Sequence, residues 1–518
     1  MKTYDYIIIG SGFGGSVSAL RLSEKGYRVL VIEKGKWYKA EDFPKSNWNL
    51  KKWLWVPKLS WHGIMKMSFF RHISIISGVG VGGGSLVYAN TLPIPKKAFF
   101  NSGSWNNLAD WETALKPHYQ TALKMLGAAK NPQLFDGDKA LKKLAKEINR
   151  EEEFDTPNVA VFFGKPNITV PDPYFNGKGP ERVGCHFCGG CMTGCRHNSK
   201  NTLDKNYLFL AQQLGAEIIA EKEVFNVIPQ EGNTGYIVEF RNSTSIIKNK
   251  QQVKGDAVIF SGGVMGTIKL LLKLKKSTLP HLSPMLGNDI RTNNESLISV
   301  TNLDGEKDLS KGVAIGSILH TDKDSHLEIC RYSSGSGFWK TTHLPYVSGK
   351  IPLFNVLKIF VSFFKRPVSF LKMYFVKDWA KSTATLLFMQ TLDSKLTFKK
   401  NMVGVFSSRV SQGKKPRTYI PRASELAKKY AKIINGKATV FALEPLAGIP
   451  STAHILGGAV MGKDASCGVI DKNNNVFGYQ NLMIIDGSMI SANPGVNPSL
   501  SITAIAEHSM SKIKPKQQ

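Results

Sequence analysis

Tyr4-Asp5-Tyr6-Ile7-Ile8-Ile9-Gly10-Ser11-Gly12-Phe13-Gly14-Gly15 is the stretch whose reading decides the fold. The apolar run Tyr4 to Ile9, closed by Gly10, predicts a buried strand. Ser16 to Lys25 predicts a helix that Gly26 ends, and Arg28 to Ile32 predicts a second strand with Glu33 at its tip. A G-x-G-x-x-G run between strand and helix cradles a pyrophosphate. Gly10 allows the turn, Gly12 lets the backbone approach phosphate, and Gly15 lets the helix lie close on the strand. Phe13 and Gly14 lie in the loop that opens the helix, whose free N–H groups and positive dipole end attract an anion. Glu33 is placed to accept the hydroxyls of a ribose. The implied fold is α/β, with a dinucleotide on a Rossmann-like sheet.

The chain has 518 residues, 42% of them hydrophobic, enough for two cores. Lys plus Arg is 68 against 39 Asp plus Glu, a formal charge of +29. That excess suits anionic partners such as lipid headgroups, or serves solubility, since the lysines are scattered. No basic run is interleaved with base-stacking aromatics, so nucleic acid is not an expected partner. A strand pattern begins within the first residues, which leaves no room for a cleavable leader ahead of it. No apolar run is long enough to span a bilayer. These features predict a cytoplasmic protein, either free or peripheral at the inner membrane surface.

A second glycine-rich loop runs Gly78-Val79-Gly80-Val81-Gly82-Gly83-Gly84-Ser85-Leu86-Val87-Tyr88-Ala89-Asn90. A long dinucleotide with a second ring system needs close backbone at two places; a single pyrophosphate does not. Near the C-terminus stand His454-Ile455-Leu456-Gly457-Gly458, then Asn481-Leu482-Met483-Ile484-Ile485-Asp486-Gly487-Ser488, then Gly495-Val496-Asn497-Pro498-Ser499. With Val258 to Thr267 and Met389-Gln390-Thr391-Leu392, these motifs resemble the glucose–methanol–choline (GMC) oxidoreductases, closest to the cholesterol-oxidase branch. The resemblance covers most of the chain.

Asn481 to Ile485 predicts a strand with Asp486 at its carboxyl end, where open α/β sheets bind ligands. Asn497 reads as a helix N-cap and Pro498 as the first helical residue, so a positive helix end points at the cofactor. The resemblance implies FAD, with His454 as the active-site base and Asn497 beside the flavin. It further implies cofactor contacts at Gly80, Gly83, Gly84, Ser85, Asn90, Val224, Asp486, Gly487 and Pro498. Oxidising an alcohol needs a base that titrates near neutral pH, which His454 supplies; the Gly457-Gly458 pair would let its backbone pass close to a ring. The glutamate base of some cholesterol oxidases has no position that its local sequence marks.

Cys185-His186-Phe187-Cys188-Gly189-Gly190-Cys191-Met192-Thr193-Gly194-Cys195 has spacing close to ferredoxin-type ligands. The four cysteines are candidate ligands of an iron–sulfur cluster; zinc and plain reduced thiols are the alternatives. Cys330 and Cys467 read as buried apolar residues. Two segments could face a lipid. Pro352 to Phe364 sets Leu353, Leu357, Phe360 and Phe364 opposite Asn355 and Lys358, and Lys51 to Lys58 carries Trp53 and Trp55 among lysines.

The pattern predicts a discontinuous FAD-binding domain of residues 1–100, 200–300 and 445–518. Residues 101–199 and 301–444 form an α+β substrate domain on an antiparallel sheet, with the cysteine loop 185–195. The leading expectation is an FAD enzyme that oxidises a hydrophobic alcohol (sterol, terpenoid or long-chain) and passes electrons to O2 or a carrier. The alternatives are a sugar or polyol dehydrogenase with a cluster, a thiol-redox flavoprotein, and a lipid-binding protein without turnover.

Overall fold

The computed structural model describes residues 1–347, 349, 352–365, 367–392, 394–401, 404–411 and 415–517. Thr3–Ile9 is the predicted first strand, buried along nearly its whole length. It runs parallel to Val29–Ile32 on one side and to Lys250–Phe260 on the other. Glu217–Ile219 extends the sheet beyond Val29–Ile32, and Leu482–Ile484 pairs parallel with Val258 to Phe260. The first half of Lys250–Phe260 turns instead to Tyr236–Asn242 and then Lys222–Pro229, an antiparallel meander. The helix Phe13–Glu24 follows the first strand and packs against Ser499–Ser511, which in turn packs on Trp111–Met125.

A second seven-stranded sheet is antiparallel throughout. Its order is His343–Pro345, Gly436–Phe441, Ser296–Asn302, Thr383–Gln390, Ser325–Cys330, Ile315–His320 and Phe154–Asp155. The period-2 alternation of a strand splits its residues between two environments. Ala384, Leu386 and Phe388 join Leu327, Ile329, Ile298 and Val300 in a core beneath the helices Asp136–Glu147 and Pro421–Ile433. Thr385 and Leu387, with Leu297, Ser299 and Cys330, turn the other way and wall a cavity. Each such apolar side chain buried on the helix face contributes about 1.5–3 kcal/mol.

The two lipid-facing candidates separate here. Trp53 and Trp55 are buried, Trp53 in an aromatic cluster with Trp339, so the segment from Lys51 to Lys58 is ordinary packing. Pro352–Lys365 is a helix with Phe354, Leu357, Phe360 and Phe364 exposed and Asn355 buried, so its apolar side faces outward. The side chain of Leu353 lies outside the described residues. Among the described residues no helix is long and apolar enough to cross a membrane.

Candidate active site

One cavity of about 590 Å³ runs from the first glycine loop to the open face of the antiparallel sheet. At its nucleotide end lie Gly10, Gly12, Phe13 and Gly14, with Glu33, Val224, Gly83 and Gly84. Gly10 adopts φ +106°, which an L side chain resists. A Cβ on Gly14 would overlap the Ile485 carbonyl, and one on Gly15 the Gly10 carbonyl, so these two glycines serve chain packing. At Gly12 the nearest atom to an added Cβ is the Ser261 carbonyl at 3.8 Å, and that position is open toward the cavity. Gly83 would meet the Cα of Gly12 at 2.7 Å, so the two glycine loops touch. Glu33 Oε2 accepts from Ser11 N and Oγ at 3.1 and 2.7 Å, and Oε1 accepts from Gly35 N at 2.8 Å. The acid fixes the turn while facing the cavity.

Two helices begin at this cavity without capping side chains. Phe13–Glu24 starts after Gly12 with no acid in its first turn, and Ser499–Ser511 starts after Pro498. Their leading N–H groups lack intrahelical partners, and positive dipole ends meet the space between. Asp486 lies at the end of Leu482–Ile484, and burial raises its carboxyl above the usual range. Its oxygens accept from Ser488 N and Oγ and from Thr267 Oγ1, at 2.8, 2.5 and 2.5 Å.

At the sheet end His454 faces the cavity beside Glu295. Its Nδ1 stands 3.1 Å from Glu295 Oε1. Glu295 is buried and also accepts from Thr452 Oγ1 at 2.5 Å and Ala453 N at 3.2 Å. Burial presses the imidazole pKa down, but the charge and hydrogen bond of Glu295, with Glu328 farther off, outweigh it, so His454 titrates above the ordinary 6.5. Burial pushes the Glu295 carboxyl up, and His454, Thr452 and Ala453 together bring it below its ordinary value. A neutral His454 with its Nδ1–H toward Glu295 leaves Nε2 as the acceptor for substrate.

Asn497 lines the same cavity. Its Nδ2 donates to Glu328 Oε2 at 3.3 Å, and Glu328 Oε1 lies 3.3 Å from His326 Nε2. Among the described residues, Asn497 Oδ1 is buried with no hydrogen-bond partner, a spare acceptor on a residue that lines the cavity. Around these groups the wall is apolar or aromatic: Leu297, Ile315, Leu387, Trp339, Trp379 and Phe441.

Residues 4–292 match the N-terminal region of the GMC oxidoreductases, and residues 424–506 match their C-terminal region. The chain belongs to the GMC oxidoreductase family. It is 44% identical to a cholesterol oxidase from Acinetobacter baumannii, over 99% of this chain and 95% of the relative. It is 41% identical to a cholesterol oxidase from Mycobacterium tuberculosis strain H37Rv, over 98% and 90%. A solved structure of pyridoxine 4-oxidase from Mesorbium loti has the same fold, with a TM-score of 0.61 at 15% identity over 98% of each chain. The protein is therefore an oxidoreductase of a family that binds FAD.

The residues of this GMC oxidoreductase fit such a cofactor. Two uncapped helix ends and an open glycine backbone suit a diphosphate and a ring that gains negative charge. Of the residues implied by its sequence, Gly10, Gly12, Phe13, Gly14, Glu33, Gly83, Gly84, Val224, His454, Asp486, Gly487, Asn497 and Pro498 line one cavity. Gly15 and Gly80 stand behind it as packing positions, Gly80 beneath Leu86 and Tyr38. Ser85 Oγ instead donates to Gly82 O and accepts from Leu203 N, and Asn90 is buried at φ +68°. Two readings of the local backbone need correction. Asn497 does not cap the last helix: Pro498 occupies the cap position, and Asn497 Nδ2 donates to the buried Glu328 carboxylate. The Gly457-Gly458 pair, at φ +77° and +99°, passes close to Asp289 O and the Ile268 and Ile290 side chains rather than to a ligand.

In the cysteine loop all four cysteines are free thiols. Among the described residues no group of three or more His, Cys, Asp or Glu side chains is arranged to hold a metal. Cys185 packs with Val159, Val161 and Val313, while Cys188 bridges by its backbone to Gly312. Burial raises the thiols of Cys185, Cys188 and Cys191. Burial also presses on Cys195, but Lys205 and the N–H groups of His197, Lys200 and Ser199 bring its net value down. Cys330 is buried and faces the cavity, whereas Cys467 is only half-buried.

Glu295 and Glu328 are the groups the sequence did not reveal. A single acid at or inside a strand reads locally as a solvent-facing residue. The one clue is that Glu328 interrupts a run, Ser325–Cys330, that is otherwise suited to a buried strand.

Proposed function

We propose that this GMC oxidoreductase oxidises the hydroxyl group of a hydrophobic alcohol, a sterol first and a long-chain alcohol second, with O2 as electron acceptor. The observation that carries the reading is the His454–Glu295 pair at an apolar wall: Nδ1 is turned to a carboxylate, so Nε2 is left for the substrate oxygen. FAD, when bound, would supply the hydride acceptor for the carbinol carbon. The backbone at Gly12 and Phe13, with the N–H of Gly14, would hold its diphosphate, Glu33 its ribose, Val224 its adenine side, and the helix end at Pro498 its ring. His454 takes the hydroxyl proton. Asn497 Oδ1 and Nδ2 orient the oxygen without adding charge. The apolar wall excludes water from the reacting carbon and favours a large alkyl or ring system over a sugar.

The domain division follows the two sheets. Residues 1–100, 200–300 and 445–518 hold the cofactor, and residues 101–199 and 301–444 cover the substrate. Trp105, Trp111, Leu115 and Tyr119 join the first core, so the helix Trp111–Met125 goes with the cofactor unit. Peripheral contact with a membrane, on this reading, falls on the outward apolar side of Pro352–Lys365.

Anaerobic titration of the flavin-loaded chain with cholesterol, a long-chain alcohol and glucose tests the substrate class. Cholesterol and the long-chain alcohol bleach the flavin absorbance and glucose does not; bleaching by glucose alone overturns the reading.

A further inference from the structure

His326 and His320 have no role in the steps above, yet they continue a line that starts at the cavity. Ser325–Cys330 alternates, so His326 and Glu328 lie on one face while Leu327 and Ile329 enter the opposite core. Glu328 and His326 are buried at 0% and 2% exposure. His326 Nε2 is 3.3 Å from Glu328 Oε1. Across the sheet His326 pairs with His320, the last residue of Ile315–His320, and the two rings meet edge-on with centroids 5.9 Å apart. His320 is half-buried, and among the described residues its Nδ1 has no hydrogen-bond partner. Exposure thus rises step by step from Glu328 to His320.

We propose that Glu328, His326 and His320 form a proton relay from the active site to the protein surface. The proposal rests on the alcohol-oxidation reading. Conversion of a carbinol to its carbonyl breaks one C–H and one O–H bond: a hydride leaves carbon for the bound flavin, and a proton leaves oxygen for His454. His454 is largely buried beside Glu295, and Asn497 lines the same cavity, so the proton can leave through buried polar groups. Asn497 bridges the cavity to Glu328 and its free Oδ1 can hold a water between them. From Glu328 the proton passes to His326 Nε2. Each imidazole accepts on one nitrogen and releases from the other, so the proton moves on to His320, across one water, and then to solvent. No electron moves in these steps, and each group returns to its starting state once the proton leaves.

The groups that face the relay favour outward flow. His326 meets Glu328 on its own strand, His320 on the next, and Met389 on the other side, where Met389 Sδ accepts from Asn293 Nδ2. His320 faces His326, Lys96, Glu153 and, farther off, Glu328; burial with His326 and Lys96 lowers its pKa. A lowered pKa at the outer imidazole means that it gives up a proton readily. Lys96 Nζ donates to the carbonyls of Asp322 and Lys323 beside His320, and its repulsion of a proton on His320 hastens release from that ring. Apolar side chains would fill this face at lower cost than a buried acid and imidazole, so stability alone does not account for them.

The test uses His326→Gln and His320→Gln in the flavin-loaded full chain. Stopped-flow absorbance follows flavin reduction, and a pH-indicator dye follows proton release to solvent. In the native protein the two are synchronous. In His326→Gln we expect kcat about tenfold lower at neutral pH with KM unchanged, release lagging reduction, and recovery with added imidazole. His320→Gln gives a smaller lag at a half-buried position, which secures the test should the inner variant not fold. An independent reading needs no turnover: in the flavin-free chain, the His326 ring NMR resonances shift in Glu328→Gln relative to the native protein, because Glu328 Oε1 lies 3.3 Å from His326 Nε2; resonances that stay in place overturn the link. Release that stays synchronous in both variants overturns the relay, as does a loss of rate that imidazole does not restore in a chain of native Tm. Failure of the oxidation reading looks different: no alcohol bleaches the flavin even in the native protein.

Discussion

Glu295 and Glu328 are two buried acids on the cavity side of one antiparallel sheet, and they are held in opposite ways. Glu295 accepts from a hydroxyl and a backbone N–H and faces an imidazole, so its charge is fixed. Among the described residues, Glu328 accepts from the Asn497 amide and lies 3.3 Å from the His326 imidazole. A carboxylate whose lone pairs are filled by donors acts as a permanent orienting charge, whereas one between a neutral amide and a titratable ring can exchange a proton. Two identical side chains at one sheet thus take different roles, set by what surrounds them.

The largest expected effect removes what both acids serve. His454→Ala should slow flavin reduction by alcohol by about 10²- to 10⁴-fold while the bound flavin spectrum stays the same; single-turnover absorbance measures it. A rate within about twofold of native would leave neither acid a partner to orient. Next comes Glu295→Gln. In the native protein the rate should rise with pH as His454 loses its proton, around a midpoint above 6.5. Without the adjacent charge burial dominates, so the midpoint should move down and a larger fraction of His454 should be neutral at low pH; a pH–rate profile that stays in place or moves up contradicts the orienting role. Glu328→Gln should lower that midpoint far less, because its charge is the weakest of the influences on His454. An equal displacement in both variants would erase the contrast between the acids. The smallest effect is that of Cys188→Ser: turnover within about twofold, and an unchanged, iron-free visible spectrum, since a thiol kept neutral by burial takes no part in either role.

The nucleotide end was legible because each of its glycines answers a local demand. Gly10 takes the turn, and Gly14 and Gly15 let a helix lie on strands, so spacing alone carries the information. His454 and Asn497 were legible through the motif that holds them. Glu295 and Glu328 were not, since a strand's polar alternation marks a face and says nothing about what will cover it. The same limit explains Pro352–Lys365: its amphipathic pattern was readable, but the sequence does not say that Asn355 turns inward and Phe360 outward. The cysteine spacing is a different case: ligand geometry depends on where each sulfur points, which spacing does not give, and Phe187, Gly189 and Gly194 bend the loop at positive φ.

Gly14 lies against the carbonyl of Ile485, and Lys516 Nζ bonds the Asp5 carboxylate at 2.7 Å. Residues early in the chain therefore wait for residues about 470 to 510 positions later before their site is whole. Until then Val258 to Phe260 lack the Leu482–Ile484 strand on one edge, an exposed apolar edge that calls for chaperone shelter. Flavin loading becomes a late checkpoint on synthesis, and ligand bound to the finished fold stabilises it by mass action. A chain interrupted before the closing helix should be cleared by proteases instead of accumulating as a half-made enzyme.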